Sequence, residues 1–239
     1  MEITSWARKI VPEKKVSAHM QRYLPYAIIV AVFLIATGAG VELYQNQDRD
    51  QPSVRTGKLA FGKPGAEPPH IRGPAKASVA LEEFGDFECV PCSLFFPILK
   101  KAKADYGEAL SVTFREYPLK QHTRAPDAAR AAEAAGLQGH FWEMHDSLYE
   151  NRLVWLNAID TRGALISLAA KLGLDMDRFQ KDMDGEEVAK RLAADLERVN
   201  SLELDRTPSV FINGDRFTTR PITNENLHAA IDSARGTKK

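Results

Sequence analysis

Cysteine is scarce in this chain. Two of its 239 residues, Cys89 and Cys92, carry a thiol. Two are too few for a disulfide scaffold, which staples short chains with several pairs. A structural zinc site wants four ligands, and neither a second CxxC nor a suitably spaced HxxxH accompanies the pair. Surplus charge is also missing, because 32 Lys and Arg balance 32 Asp and Glu. That balance argues against nucleic acid as the main partner, since phosphate binding needs a basic excess. No glycine-rich phosphate loop, Ser-His-Asp arrangement or internal repeat stands out. His140 and His145 are five apart, so they share a helix face poorly for one metal; among Phe141, Trp142 and Met144 they read as part of an apolar stripe. Redox chemistry or simple core packing remain as roles for the two cysteines.

Long apolar runs are limited to one. Residues 1–23 are polar and basic, and from Leu24 to Leu43 the one charge is Glu42. At about 1.5 Å per residue, 24–43 would cross a bilayer core as a signal-anchor helix, with Tyr23, Tyr26 and Tyr44 at the interfaces. The basic leader would stay in the cytoplasm. A cleaved signal peptide with small residues such as Thr37 and Ala39 at the cut is the alternative, and a buried soluble helix is a third reading. Residues 44–76 are rich in Pro, Gly and charge without an apolar period, and read as a flexible linker.

The globular part is expected over residues 77–236. "ASVALEEF" and "LSVTFREY" read as strands, with a helix from "CSLFFPILKKAKADYG" between them. Residues 122–204, approximately, form a helical insertion. Thr161 and Asp175 are its expected N-caps and Gly136, Gly173 and Gly185 its breaks. "PSVFING" is a strand turning at Asn213-Gly214, "RFTT" its hairpin mate, and "TNENLHAAIDSAR" a closing helix capped by Thr223. The helix around "EEVAKRLAADLERV" reads as a solvated charged face over a Leu/Val stripe. The order is βαβ, a helical block, then ββα.

This order places Cys89 at a strand-to-helix junction, where free N–H groups and the helix dipole favour a thiolate. Cys92, one helical turn further in, would be more buried and able to close a disulfide with Cys89. Glu82 and Glu83 point to opposite strand faces, so one of them faces inward, where a carboxyl of raised pKa could carry the Cys92 proton. Pro97 falls inside the helix and would kink it. Pro208 opens a strand; were its bond to Thr207 cis, the Thr207 backbone edge would be free to pair with an extended substrate. His122 falls near the end of the second strand.

The pieces "VALEEFGDFECVPC", "EYPLKQH", "AAEAAGLQGHFWEMHDSLYE" and "RTPSVFING" resemble the DsbA-like branch of the thioredoxin superfamily over about residues 70 to 235. The resemblance implies an α/β thioredoxin fold with a helical insertion. It implies Cys89 as nucleophile, Cys92 as resolving thiol, Glu83 as buried acid, the kink proline Pro97, and Thr207-Pro208 against the substrate. It adds Phe84, Asp86 and Phe87 as positioning residues beside Val90, Pro91 and Pro97. No cofactor is implied beyond the Cys89–Cys92 disulfide, and no metal. The chain departs from the strongly oxidising members, which carry a His between the cysteines where Val90 and Pro91 stand. The expectation is a thiol:disulfide oxidoreductase tethered outside the inner membrane of a bacterium. It would oxidise exported proteins with thiols and be reset by a membrane or extracytoplasmic redox partner. A reductase or isomerase on the same fold is the alternative within enzymes. A non-catalytic, membrane-tethered peptide-binding or chaperone module is the alternative outside them.

Overall fold

The computed structural model describes residues 62–236. The expected cytoplasmic tail 1–23, the apolar stretch 24–43 and the first part of the expected linker lie outside them. Among the described residues, no helix is long and apolar enough to cross a membrane. The sheet has five strands: β1 (His70–Arg72), β2 (Val79–Gly85), β3 (Leu110–Glu116), β4 (Ser209–Ile212) and β5 (Asp215–Phe217). Their spatial order is β1-β3-β2-β4-β5, with β2 and β3 parallel and every other pairing antiparallel. Helix α1 (Val90–Tyr106) makes the β2-to-β3 crossover. Helices α2 (Ala125–Gly136), α3 (Phe141–Glu150), α4 (Arg152–Leu156), α5 (Thr161–Lys171), α6 (Met176–Met183) and α7 (Glu186–Ser201) form the insertion, and α8 (Asn224–Gly236) closes the chain.

Central β2 explains the layering. Val79, Leu81 and Glu83 point to one face, where Leu81 joins Phe95 and Leu99 of α1 and Leu227 and Ile231 of α8 in one core. Phe84 points to the other and packs edge-on against Phe211, with ring centroids 5.7 Å apart. The Phe84 side chain, expected to help position the cysteines, therefore faces a different core from theirs. Strand alternation sends it to the face opposite Glu83. At Gly85 an added Cβ would lie 2.4 Å from the Phe114 ring, so only glycine lets that ring lie across the strand. The Asn213-Gly214 turn has φ of 50° and 90° at its two residues, the positive values a tight hairpin needs.

Helix α2 is made largely of small residues, and Ala128, Ala131, Ala132 and Ala135 are buried. It packs against α3, α5, α6 and α7 as the axis of the insertion. The caps differ slightly from expectation. Asp160, one residue before Thr161, caps α5 by accepting from Gly163 N at 2.9 Å, because a carboxylate reaches that N–H with full charge. Asp175 caps α6 in the same way. Thr223 and Asn226 bond reciprocally across the start of α8.

The domain begins earlier than residue 77. Residues 62–76, read as linker, hold β1 and pack against the insertion. Asp195 accepts from Ala66 N at 2.8 Å and from Glu116 N at 3.0 Å, and Arg115 donates to the Ala66 carbonyl at 2.7 Å. Arg198 donates to Glu82 and to the Lys63 carbonyl. A second cluster ties β1 to α2 and α7, where His70 and Arg191 converge on the Glu133 carboxylate at 2.9 and 2.5 Å. Burial pushes Glu133 up, but the hydrogen bond and charge of His70, with Arg191, hold it below the usual carboxylate range. Helix α7 is therefore more than a solvated face over an apolar stripe, because Arg191 and Asp195 are buried beside Val188 and Leu192.

Truncating one partner of this cluster tests its weight. Arg191→Ala leaves the 1 %-exposed Glu133 side chain without its guanidinium. The expected cost is about 3–5 kcal/mol, read as a lower urea midpoint. Adding Glu133→Gln should return part of it. A loss below about 1 kcal/mol would mean the pair is solvated in practice.

Candidate active site

The two thiols sit where β2 hands over to α1. Cys89 is the N-cap of α1, Val90 and Pro91 fill its first two positions, and Cys92 ends its first turn. Proline suits that place because its missing N–H would have no helical partner there. Cys89 is 4 % exposed and Cys92 0 %, so an incoming sulfur meets Cys89 first. Both are free thiols. They share a core with Phe87, Phe114, Leu148 and Tyr149. Val90 is exposed, and Pro97 lies inside α1, where its ring nitrogen cannot donate to the Ser93 carbonyl.

Asp86 holds this turn. One carboxylate oxygen accepts from Glu88 N at 2.7 Å and Cys89 N at 3.2 Å; the other accepts from Leu119 N at 2.8 Å and meets His122 Nδ1 at 2.8 Å. The loop after β3, including His122, is thereby pinned beneath the cysteines. Phe87 lies among Phe114, His145 and Tyr149, with ring centroids 5.0–5.6 Å away. His145 is thus a buried aromatic-cage residue, while His140 stays at the helix start.

The environments of the two sulfurs differ sharply. Donation from the Cys92 thiol brings Cys89 down to about 6, helped by the Thr207 hydroxyl and the Cys92 backbone N–H, against burial and the Asp86 charge. Burial pushes Cys92 well above the ordinary thiol value, and the hydrogen bond to Cys89 and the charge of Glu83 add to it. Burial also raises Glu83 to about 8, with the Cys89 charge as a second cause. Glu83 is 2 % exposed and its Oε1 has no hydrogen-bond partner. Its neighbour Glu82 takes the other face and pairs with Arg115 and Arg198.

Opposite the cysteines, the Thr207–Pro208 peptide is cis. The Cys89 thiol donates to the Thr207 carbonyl at 3.6 Å. A groove of about 390 Å³ runs beside this contact, lined by Pro91, Leu94, Phe95, Thr207, Pro208 and Ile222 among others. Leu94 is 66 % exposed on its rim. An apolar, open trough beside a reactive thiol suits an extended peptide.

Four further residues complete the site without having stood out in the sequence. Glu88 accepts from Arg124 N and Ala125 N and so caps α2. Arg152 donates to the Glu88 carbonyl, and the Tyr149 hydroxyl lies 3.5 Å from the Asp86 carbonyl. Glu116 is buried with neither carboxyl oxygen partnered, and burial followed by the charges of Glu133, Asp195 and Asp86 pushes it well above the usual carboxylate range. Glu88, Glu116 and Tyr149 lie inside the motif stretches and Arg152 just beyond one, but the contacts of Glu88, Tyr149 and Arg152 run to residues 36 to 64 positions away.

A family model described as Thioredoxin matches residues 66–233. Among curated relatives, a protein named Na(+)/H(+) antiporter NhaA 1 from Mycolicibacterium gilvum is 32% identical over 213 residues, covering 87% of this chain and 33% of its own. Another of that name from Salinispora arenicola is 38% identical over 166 residues, 69% of this chain and 24% of its own. The chain thus spans about a third or less of the length of these relatives. Among solved structures, a thioredoxin-like oxidoreductase from Silicibacter pomeroyi superposes with a TM-score of 0.59 at 24% identity, covering 71% of this chain and 93% of that one. Wolbachia pipientis alpha-DsbA1 gives 0.60 at 22%, covering 71% and 92%, and oxidised BdbD from Bacillus subtilis 0.58 at 21%, covering 73% and 98%. At these identities the structural likeness concerns the fold.

Two titrations test the site. Thiolate absorbance of the reduced protein should rise with a midpoint near pH 6 from Cys89, and Thr207→Val should move that midpoint upward. Glu83 is raised from 4.5 to about 8, so its contribution to stability is complete below pH 4.5 and is lost as pH rises through 8. Glu83→Gln should flatten that decline, which has a slope of up to about 1.4 kcal/mol per pH unit. Identical pH–stability curves for the two reduced proteins would show Glu83 to be ionised in the fold.

Proposed function

We propose that this chain, which belongs to the thioredoxin family, is a thiol:disulfide oxidoreductase that introduces disulfides into exported proteins. The observation that carries the reading is the asymmetry of the two thiols, with Cys89 the more exposed, at 4 %, and held near 6, and Cys92 fully buried and held high. At pH 7 a pKa of 6 leaves about ten thiolates per thiol, which stabilises the dithiol by roughly 1.4 kcal/mol, or about 30 mV. Whatever favours the dithiol makes the disulfide a better oxidant. The increment is modest, in keeping with Val90 and Pro91 adding no charge or donor between the cysteines.

The chemistry follows from the placements. A client thiolate attacks the Cys89 sulfur of the Cys89–Cys92 disulfide, the S–S bond breaks, and the electron pair leaves on Cys92. That sulfur is strongly basic, and neutral Glu83 beside it supplies the proton. A second client thiolate then attacks the client sulfur of the mixed disulfide, and Cys89 departs as a stable thiolate. The client loses two electrons and two protons, and the pair gains both electrons. An extracytoplasmic or membrane redox partner must reoxidise it. Thr207 and Pro208 would line the client strand in the groove.

Export is supported by the basic leader and the apolar stretch 24–43, which suit a single-pass anchor in a bacterial inner membrane with the catalytic domain on the periplasmic side. The antiporter names belong to chains about three times as long, and ion transport finds no support in the described residues. Cys89→Ser should abolish oxidation of a reduced model protein, and Cys92→Ala should accumulate mixed disulfides with clients. Unchanged activity of Cys89→Ser in cells would point instead to a tethered peptide-binding module. Equilibration with glutathione should give a potential above the roughly −270 mV of thioredoxin. A lower value, or a pair found mostly reduced in cells, would make the protein a reductase or isomerase.

A further inference from the structure

A second cavity opens beside the groove. It encloses about 340 Å³, and its walls include Asp205, Arg206, Arg216, Phe217 and Arg220. Arg206 and Arg220 line both cavities, so the two spaces adjoin. Their characters differ. The groove wall is largely apolar, whereas three guanidiniums converge on the second cavity.

Their charge is incompletely answered. Asp205 accepts from Arg206 at 3.0 and 2.8 Å, and the same carboxylate lies 3.5 Å from Arg216 Nη2. Glu203 also lies on the wall but makes no ion pair among the described residues. Arg220 donates only to carbonyls, to Pro208 O and Thr219 O at 2.9 Å each, and has no carboxylate partner among the described residues. Partial burial and then the like charges of Arg206 and Arg216 make its protonated form less favourable. An added carboxylate would relieve that crowding.

The position of Arg220 ties this charge to the thiol. It holds the carbonyl of Pro208, and the neighbouring Thr207 carbonyl is 3.6 Å from the Cys89 sulfur. An extended peptide advances about 3.3 Å per residue, so a side chain a few residues from a cysteine bound at Cys89 can reach the arginines. Building on the reading of the groove as a client site, we propose that the second cavity is a carboxylate subsite. It selects client segments with Asp or Glu within about three residues of the reacting cysteine. The apolar groove supplies contact area, and the arginines supply choice among clients.

The test uses the full chain and a set of extended peptides differing at one position near the cysteine, which is Glu, Gln or Lys. In one series the cysteine is replaced by serine and binding is read by fluorescence anisotropy. In the other it is kept and the rate of exchange is read. The Glu peptide should bind about 5–10-fold more tightly than the Lys peptide at low ionic strength, with Gln between. The ratio should fall towards one in 0.5 M salt, where the screening length is roughly 4 Å, and in Arg216→Ser and Arg220→Gln. Equal binding of the three peptides overturns the proposal, as does a preference that survives salt and both substitutions. The two series separate the questions. A Glu preference in the serine series without exchange in the other leaves the subsite standing and removes the redox reading. Exchange at one rate for all three peptides, with equal binding, does the reverse.

Discussion

A single buried carboxylate organises the reactive end of this molecule. Asp86 spends both oxygens on four donors, two in the turn that presents Cys89 and two in the loop after β3. Without that acceptor the Glu88 N–H would lose its partner, at a cost of about 1–3 kcal/mol, whereas the Cys89 N–H would keep the Asp86 backbone carbonyl at 3.1 Å. The constraint runs in both directions. The strand end fixes the loop, and the loop holds the start of α1 where its N-terminus faces the thiol. Asp86 also opposes the thiolate by its charge, so the turn is held in place at some expense to the acidity of Cys89.

The acidity gap between the cysteines is a consequence of depth. Two residues separate them along one helix turn, yet one keeps a sliver of exposure and the other has none. Burial alone would raise both, since a buried thiolate loses hydration. What differs is that Cys89 receives hydrogen bonds from Cys92 and Thr207, whereas Cys92 faces the carboxyl of Glu83. Glu83 in turn remains neutral because the same face of β2 offers it Phe114 and Val210 as cross-strand neighbours rather than a cation. An apolar surrounding and a proton carrier are thus the same structural fact.

The scaffold behind the site depends on ion pairs more than an amphipathic reading of its helices suggests. Arg115, Asp195, Arg191 and Glu133 are all buried, and between them they clamp residues 62–76 onto the insertion. Buried charge is tolerated only where each partner is satisfied, and here backbone groups of Ala66 and Pro68 supply further contacts. The same segment contributes the edge strand β1, which covers the flank of β3.

Much of the fold was legible because its signals are local. The strand-to-helix setting of CVPC, the long apolar-periodic insertion, the Asn213-Gly214 hairpin and the caps at Asp175 and Thr223 depend on neighbours a few residues away. So did the inward turn of one of two adjacent glutamates, though alternation could not say which. What the order of residues left open was everything settled by partners far along the chain. Residues 62–76 have the composition of a linker, and become part of the domain through side chains about 50 to 135 positions distant. Phe84 sits in a motif beside the cysteines but faces away from them, because a strand shows its two faces to two different cores. The direction of the Cys89 shift, and that one of the two glutamates would be raised, were legible; the partners that set them, the choice of Glu83, and the gathering of Arg206, Arg216 and Arg220 belong to the tertiary structure. Each is set by desolvation and by charges brought close in space, which proximity in sequence does not measure.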